Sequence, residues 1–195
     1  MKTDLSPRAE QIVASAQTLL ASGGYNSWSY AHISEMVNIS KASIHHHFST
    51  KAELVQTVVS RHREDTLAGI STLTQHVPDP LAQLQAYTGH WAARIGDASS
   101  SVCICTMLAA DMPAIPSQVA EEVRGHFLDL TAWVSSVLTT GAEQGIFTLT
   151  AAPETEAMAF VATVHGAMLS ARVYGDPQVF ALIVQPLIRR LTSQQ

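Results

Sequence analysis

The sequence predicts an all-α protein of about nine helices, and three observations carry that expectation. Apolar residues recur every three or four positions along nearly the whole chain. Serine, asparagine, proline and glycine fall where those runs begin and end. No stretch alternates apolar and polar residues as a half-buried strand would. With 47% apolar residues in 195, the chain has enough material for a buried core and is not of disordered composition.

The elements follow in order. Ser6-Pro7 reads as a helix start, a hydroxyl cap ahead of a proline in the first turn. Ile12, Ala16, Leu19 and Leu20 continue at helical spacing, and Gly23-Gly24 ends the run. A short second helix starts at Ser29 and carries Ile33, Met36 and Val37. Asn38 follows, a residue that tolerates the left-handed backbone of a tight turn. Ser40 caps a third helix through about His47. Thr50 and Glu53 have capping-box spacing and open a fourth, carrying Leu54 and Val58 to about Leu73.

"HVPDP" (76–80) breaks the chain before a helix with Leu81, Leu84, Tyr87 and Trp91, ending near Ile95. "GDASSS" (96–101) reads as a loop, and "VCICTMLAAD" (102–111) as a short apolar segment stopped by "MPAIP". Val119, Val123, Phe127, Leu130, Val134 and Val137 form the strongest amphipathic pattern. Pro153 opens a helix to about Tyr174, and Pro177 opens the last, to about Leu191. These two are apolar around much of their circumference. One core cannot cover every face, so Phe160, Val164, Met168, Phe180, Ile183 and Leu187 are expected at an interface with a second copy of the chain.

Charge is uneven. Residues 1–64 hold six Lys/Arg against five Asp/Glu, whereas 65–195 hold five against eleven. Only the N-terminal third could meet an anion without strong repulsion, yet its balance is too slight to establish nucleic-acid binding alone. No uncharged apolar run is long enough for a membrane span, and the polar start "MKTDLSPRAEQ" lacks the apolar core of a signal peptide. The expected compartment is the cytoplasm. Cys103 and Cys105, the only cysteines, make no disulfide framework.

The second and third helices, short and joined by a turn of three to four residues, describe a helix-turn-helix. The later helix of such a unit enters the DNA major groove N-terminus first, which here presents Ser40, Lys41 and Ser43. Ile33, Val37, Ile39, Ile44 and Phe48 would lock the pair together. The segment "GGYNSWSYAHISEMVNISKASIHHHFSTKAELVQTVV" (23–59) resembles the N-terminal signature of TetR-family transcriptional regulators. The match lies at Gly24, Tyr25, Ser29, Ile33, Ile39, Ser40, Lys41, Ile44, His47, Phe48, Lys51, Glu53 and Leu54.

The resemblance implies a helix-turn-helix DNA-binding domain over 1–50 and a helical ligand-sensing and dimerisation domain over 51–195. It implies a homodimer on a near-palindromic operator, usually a repressor, released when a small molecule fills the C-terminal domain. The chain departs from the signature at Trp28 (commonly Thr), at Asn38 and Ala42 (commonly Gly), and at His45 and His46 (commonly paired tyrosines). These departures bear on the operator sequence more than on DNA binding itself.

Successive helical residues point about 100° apart, so His45, His46 and His47 cannot converge on one metal ion. No zinc-like spacing lies nearby, and neither metal nor cofactor is expected. By the family match His47 packs near Phe48, while His45 and His46 replace residues that touch bases or phosphates. A neutral imidazole can donate one hydrogen bond, and a protonated one adds a charge. Lys51, at a helix N-terminus, could help hold a phosphate. The expected DNA-contacting set is therefore Ser29, Ser40, Lys41, Ser43, His45, His46 and Lys51.

For a small, fairly apolar effector the candidate lining is Tyr87, Trp91, Met107, Phe127, Trp133 and His165, with His90 and His126 as further polar options. Each of these is also an ordinary core residue type. The segment around Cys103 resembles a Gly-Cys-Leu…Leu-Ala-Glu stretch of some TetR-family members, among which a sensing-domain cysteine can react with electrophiles or oxidants. Such reactivity needs exposure and a nearby cation. Cys103 has apolar flanks and no lysine near it in sequence, so an inert buried thiol is the competing reading. No nucleophile elbow, H-E-x-x-H or phosphate-cradling glycine loop is present, and no enzyme is expected. A helical enzyme or adaptor without DNA binding is the alternative of a different class.

Overall fold

In a computed structural model of the chain, residues 5–96 and 102–192 are described, and they form nine helices with no strand among them. The helices are α1 (Pro7–Gly23), α2 (Tyr30–Val37), α3 (Lys41–His47), α4 (Lys51–His76), α5 (Pro80–Gly96), α6 (Ile104–Ala110), α7 (Ser117–Glu143), α8 (Pro153–Tyr174) and α9 (Gln178–Thr192). The expected boundaries recur within a few residues, with α4 running on to His76. Of the loop expected over 96–101, Gly96 ends α5 and the rest lies outside the described residues.

Most of the start signals act as caps. The Ser6 hydroxyl accepts from the Ala9 N–H at 3.3 Å, and Ser40 from the Ser43 N–H at 3.1 Å. Asn38 adopts φ 53° and ψ 52°, the left-handed conformation that its place in the turn requires. Two caps differ in detail from expectation. Ser29 caps α2 by accepting from Ala31 N–H, and the reciprocal partner is His32, whose Nδ1 accepts the Ser29 N–H at 3.0 Å. At α4, Thr50 accepts from Glu53 N–H, but the Glu53 carboxylate reaches past Thr50 to the N–H and hydroxyl of Ser49.

The chain divides into two compact units. One holds residues 5–65 and 103–126. In it α1 packs on α2 and α6, and α2 on α3, around fully buried Ile12, Leu20, Ile33, Ile44 and Leu54. The Tyr30 hydroxyl donates to the Phe48 carbonyl at 3.1 Å and ties the start of α2 to the end of α3. Burial first, then Glu53 and Tyr25, pushes that phenol up to about 12, so it remains a donor.

The other unit holds 66–96, 102 and 127–192, in which α5, α8 and α9 pack together. Phe160, Val164, Met168 and Phe180 are fully buried there and Leu187 nearly so, while Ile183 is half-buried. This corrects the expected interface. Those five side chains are core of the chain itself, and the exposed apolar residues of α8 and α9 are Met158, Leu169, Val173, Tyr174 and Leu182.

Candidate functional site

The α2–α3 pair presents a polar surface. Ser29, Ser40, Lys41, His45 and His46 are exposed, and Ser43 and Lys51 are half-buried. All but Lys51 and Ser29 lie on α3 or at its cap, held by Ile44 and Phe48 beneath. The Ser29 and Ser40 oxygens are engaged as cap acceptors, which leaves the Ser40 hydroxyl hydrogen to donate, while the Ser29 hydroxyl lies 3.5 Å from His32 Nδ1. The His45 Nδ1 lies 3.1 Å from the Ser49 carbonyl, and its ring stands edge-on to Tyr30 at 4.8 Å. A carbonyl only accepts, so Nδ1 carries the hydrogen. The neutral ring therefore spends its one donor internally and offers Nε2 outward as an acceptor. His46 packs edge-on to half-buried His47 at 5.6 Å.

Lys51 is held more closely than its sequence position suggested. Its ammonium sits 4.1 Å from the Trp28 ring centroid and 4.8 Å from that of Tyr25, and it donates to the Trp28 carbonyl. Burial lowers its pKa. Trp28, one of the departures from the family pattern, thus forms part of a cation cage around the Lys51 ammonium.

In the second unit the expected effector residues cluster. The Tyr87 hydroxyl is 3.4 Å from His165 Nε2, Tyr87 meets Trp133 edge-on at 5.4 Å, and Phe127 tilts against His165 at 5.0 Å. Trp133 donates to the Thr74 hydroxyl at 3.3 Å. Trp91 is buried, and its indole N–H has no hydrogen-bond partner among the described residues. Met107 belongs to the first unit. A separate apolar cleft of about 290 Å³ lies between α5 and α9, bounded by Thr88, Gly89, Ala92, Phe180, Val184 and Ile188.

Cys103 is buried, but its company was not legible in the sequence. Its Sγ lies 3.4 Å from His62 Nε2 and 3.8 Å from His126 Nε2, and Cys105 completes the group. Hydrogen bonding from Cys105, then from His126 and His62, holds the Cys103 thiol well below its ordinary range against the opposing effect of burial. The same contact with Cys103, with burial, pushes Cys105 up. No lysine lies near Cys103 in sequence, but two imidazoles lie beside it in space. His62 comes from α4 and His126 from α7, too distant in sequence for any spacing rule. Asp111, also unforeseen, ends α6 and accepts the Tyr25 N–H at 2.8 Å. A Cβ on Gly24, whose φ is +77°, would come within 2.6 Å of that carboxylate.

Two family models match the chain. One described as "Bacterial regulatory proteins, tetR family" matches residues 12–58, and one described as "Tetracyclin repressor-like, C-terminal domain" matches 80–187. Among solved structures, a TetR-family transcriptional regulator from Agrobacterium tumefaciens is 47% identical, with a TM-score of 0.93 over 95% of this chain and 98% of that one. A TetR transcriptional regulator from Legionella pneumophila is 24% identical with a TM-score of 0.85, over 97% and 100% of the two chains. The reduced form of NemR from E. coli is 16% identical with a TM-score of 0.82, over 95% and 98%. The last two show likeness of fold alone. No curated protein matches.

Proposed function

Because this chain belongs to the TetR family of DNA-binding transcriptional regulators, which are not enzymes, we propose that it is a cytoplasmic homodimeric repressor of a near-palindromic operator. It leaves that operator when a small, fairly apolar effector enters the unit that contains α5 and α8. The observation that carries the reading is the exposed α3 surface, with Lys41, His45 and His46 raised on a buried Ile44–Phe48 footing. Ser29, Ser40, Ser43 and Lys51 extend that surface with further polar groups. No described helix is long and apolar enough to cross a membrane.

For the effector, Tyr87, Trp91, Phe127, Trp133 and His165 supply what a helical pocket for such a molecule needs: aromatic walls, one polar pair and an indole N–H in want of an acceptor. A second reading, sensing of electrophiles or oxidants through Cys103, draws support from its lowered thiol and is opposed by its 2% exposure.

A gel-shift series on the chain's own upstream DNA tests both. Lys41→Ala should weaken operator and unrelated DNA alike. It should also reduce the log–log salt slope by roughly 2, because a phosphate contact is lost twice in a dimer. Unchanged affinity and slope would remove the docking. A thiol-alkylating reagent that releases wild type but not Cys103→Ser would favour the second reading over the first.

A further inference from the structure

The four side chains His62, Cys103, Cys105 and His126 have the composition, geometry and charge of a closed metal site. Their ligand atoms all lie within 4.8 Å of one another. Zn–S bonds of about 2.3 Å and Zn–N bonds of about 2.0–2.1 Å place tetrahedral ligand atoms roughly 3.3–3.8 Å apart. The separations of Cys103 Sγ from His62 Nε2, 3.4 Å, and from His126 Nε2, 3.8 Å, fall in that span. The C-x-C pair is able to converge on one ion because Cys103 lies just outside α6 in extended backbone, φ −59° and ψ 133°. Within a helix, positions two apart would diverge.

Three of the four residues are buried, and His62 is half-buried, which suits a structural site that carries no exchangeable ligand. Two thiolates also balance a divalent ion, and two neutral imidazoles add no charge. The loaded cluster would then be neutral inside a low-dielectric core, whereas a monovalent ion would leave a buried negative charge. Soft and borderline donors without oxygen disfavour magnesium and calcium.

We propose that His62, Cys103, Cys105 and His126 bind one divalent zinc-class ion per chain, with both thiols giving up their protons on binding. The site joins α4, the start of α6 and α7 within the same compact unit as the helix-turn-helix. The other end of α6 holds the Tyr25 N–H through Asp111, so the ion would brace the α1–α2 turn from beneath. The proposal goes beyond the effector reading and does not depend on it.

The test uses the full chain, kept reduced, stripped by chelator and titrated with Co²⁺. One ion per chain is expected. It should show thiolate-to-cobalt charge transfer and the intense visible bands of tetrahedral cobalt, both abolished by Zn²⁺. Cys103→Ser and His126→Gln should each weaken binding by more than about 100-fold, beyond the 10–100-fold typical of lost outer-shell partners. Zinc should raise the melting temperature of wild type and not of either variant. Absence of the tetrahedral spectrum overturns the site, as does a spectrum unchanged in folded variants. If circular dichroism shows those variants unfolded, His62→Gln at the half-exposed ligand decides: loss of the spectrum supports the site, and its retention overturns it.

Discussion

At His45 a single hydrogen bond sets what the ring can offer to DNA. With Nδ1–H donated to the Ser49 carbonyl, a neutral ring presents a lone pair outward. That lone pair suits an adenine or cytosine amino group and repels a phosphate. A protonated ring presents an N–H and a charge instead. Histidine side chains gain their proton between about pH 8 and about pH 5. Lowering the pH from about 8 to about 6 is therefore expected to tighten DNA binding and to steepen its salt dependence, as more counterions are displaced. The double variant His45→Gln, His46→Gln cannot charge at these two positions and should respond less, with His32, His47 and His62 common to both proteins. Equal responses in gel shifts across that pH range would mean that neither ring is the proton-sensitive contact. The exposure of this pair follows from helical periodicity, because Ile44 and Phe48 take the buried positions around it. The tautomer does not follow, because it depends on where a carbonyl four residues away comes to rest. The same limit hid His62 and His126 from Cys103, since only the packed helices bring those rings to the thiol.

At the level of elements, caps written in short polar side chains are read directly from sequence, whereas the partner of a residue that reaches backwards is not. Ser6 and Ser40 stand where caps were expected, and Ser29 caps the helix expected to start there; Glu53 has the expected spacing but reaches Ser49, while His32 and Glu156 complete their helix starts by paths that spacing rules do not single out. Glu156 is the most consequential of these, because the N-cap of α8, Ala152, has no side-chain cap. Buried at the first turn, Glu156 accepts from the Thr150 hydroxyl at 2.6 Å and from its N–H at 3.1 Å. The hydroxyl bond foremost, aided by the backbone and by Arg190 and opposed by burial, holds its carboxyl below the ordinary range. A folded-state pKa below the unfolded one gives stability that is fully present above the unfolded value, near 4.3, and is lost as pH falls through the folded value. Glu156→Ala is expected to cost about 1.5–3 kcal/mol at pH 7, the range for hydrogen bonds to a charged group, or roughly 3–12 °C in melting temperature. Glu156→Gln should fall short of wild type at pH 7 and approach it below about pH 4. A constant gap between Glu156→Gln and wild type across that range would show that the carboxylate charge is not what holds the start of α8.

For the whole molecule, the helix inventory was legible because nearly every boundary carries a cap, a proline or a glycine. The grouping of the helices was not. Compactness puts 103–126 with the N-terminal 65 residues, a return that no local signal marks. Nor could periodicity say which apolar face of α8 and α9 turns inward, because both helices are apolar on more than one side. Phe160, Val164, Met168 and Phe180 take the inward face, while Met158, Leu169, Val173, Tyr174 and Leu182 are left to solvent in a single chain. The second set, on two helices that pack together within one unit, is the face we assign to the homodimer. In a two-fold interface every substitution acts twice. Leu182→Glu, at a side chain 69% exposed in the protomer, should fold normally yet bury two uncompensated charges on association. The cost of several kcal/mol would weaken the dimer by on the order of 100-fold or more. Val164→Glu places its charge in the core of the protomer and should instead abolish folding, seen as insoluble protein or lost helical signal. Sedimentation at micromolar concentration separates the cases. A dimeric wild type with a monomeric, helical Leu182→Glu supports this face. A monomeric wild type, or a Leu182→Glu protein that stays dimeric, would show that the apolar surface of α8 and α9 serves another purpose.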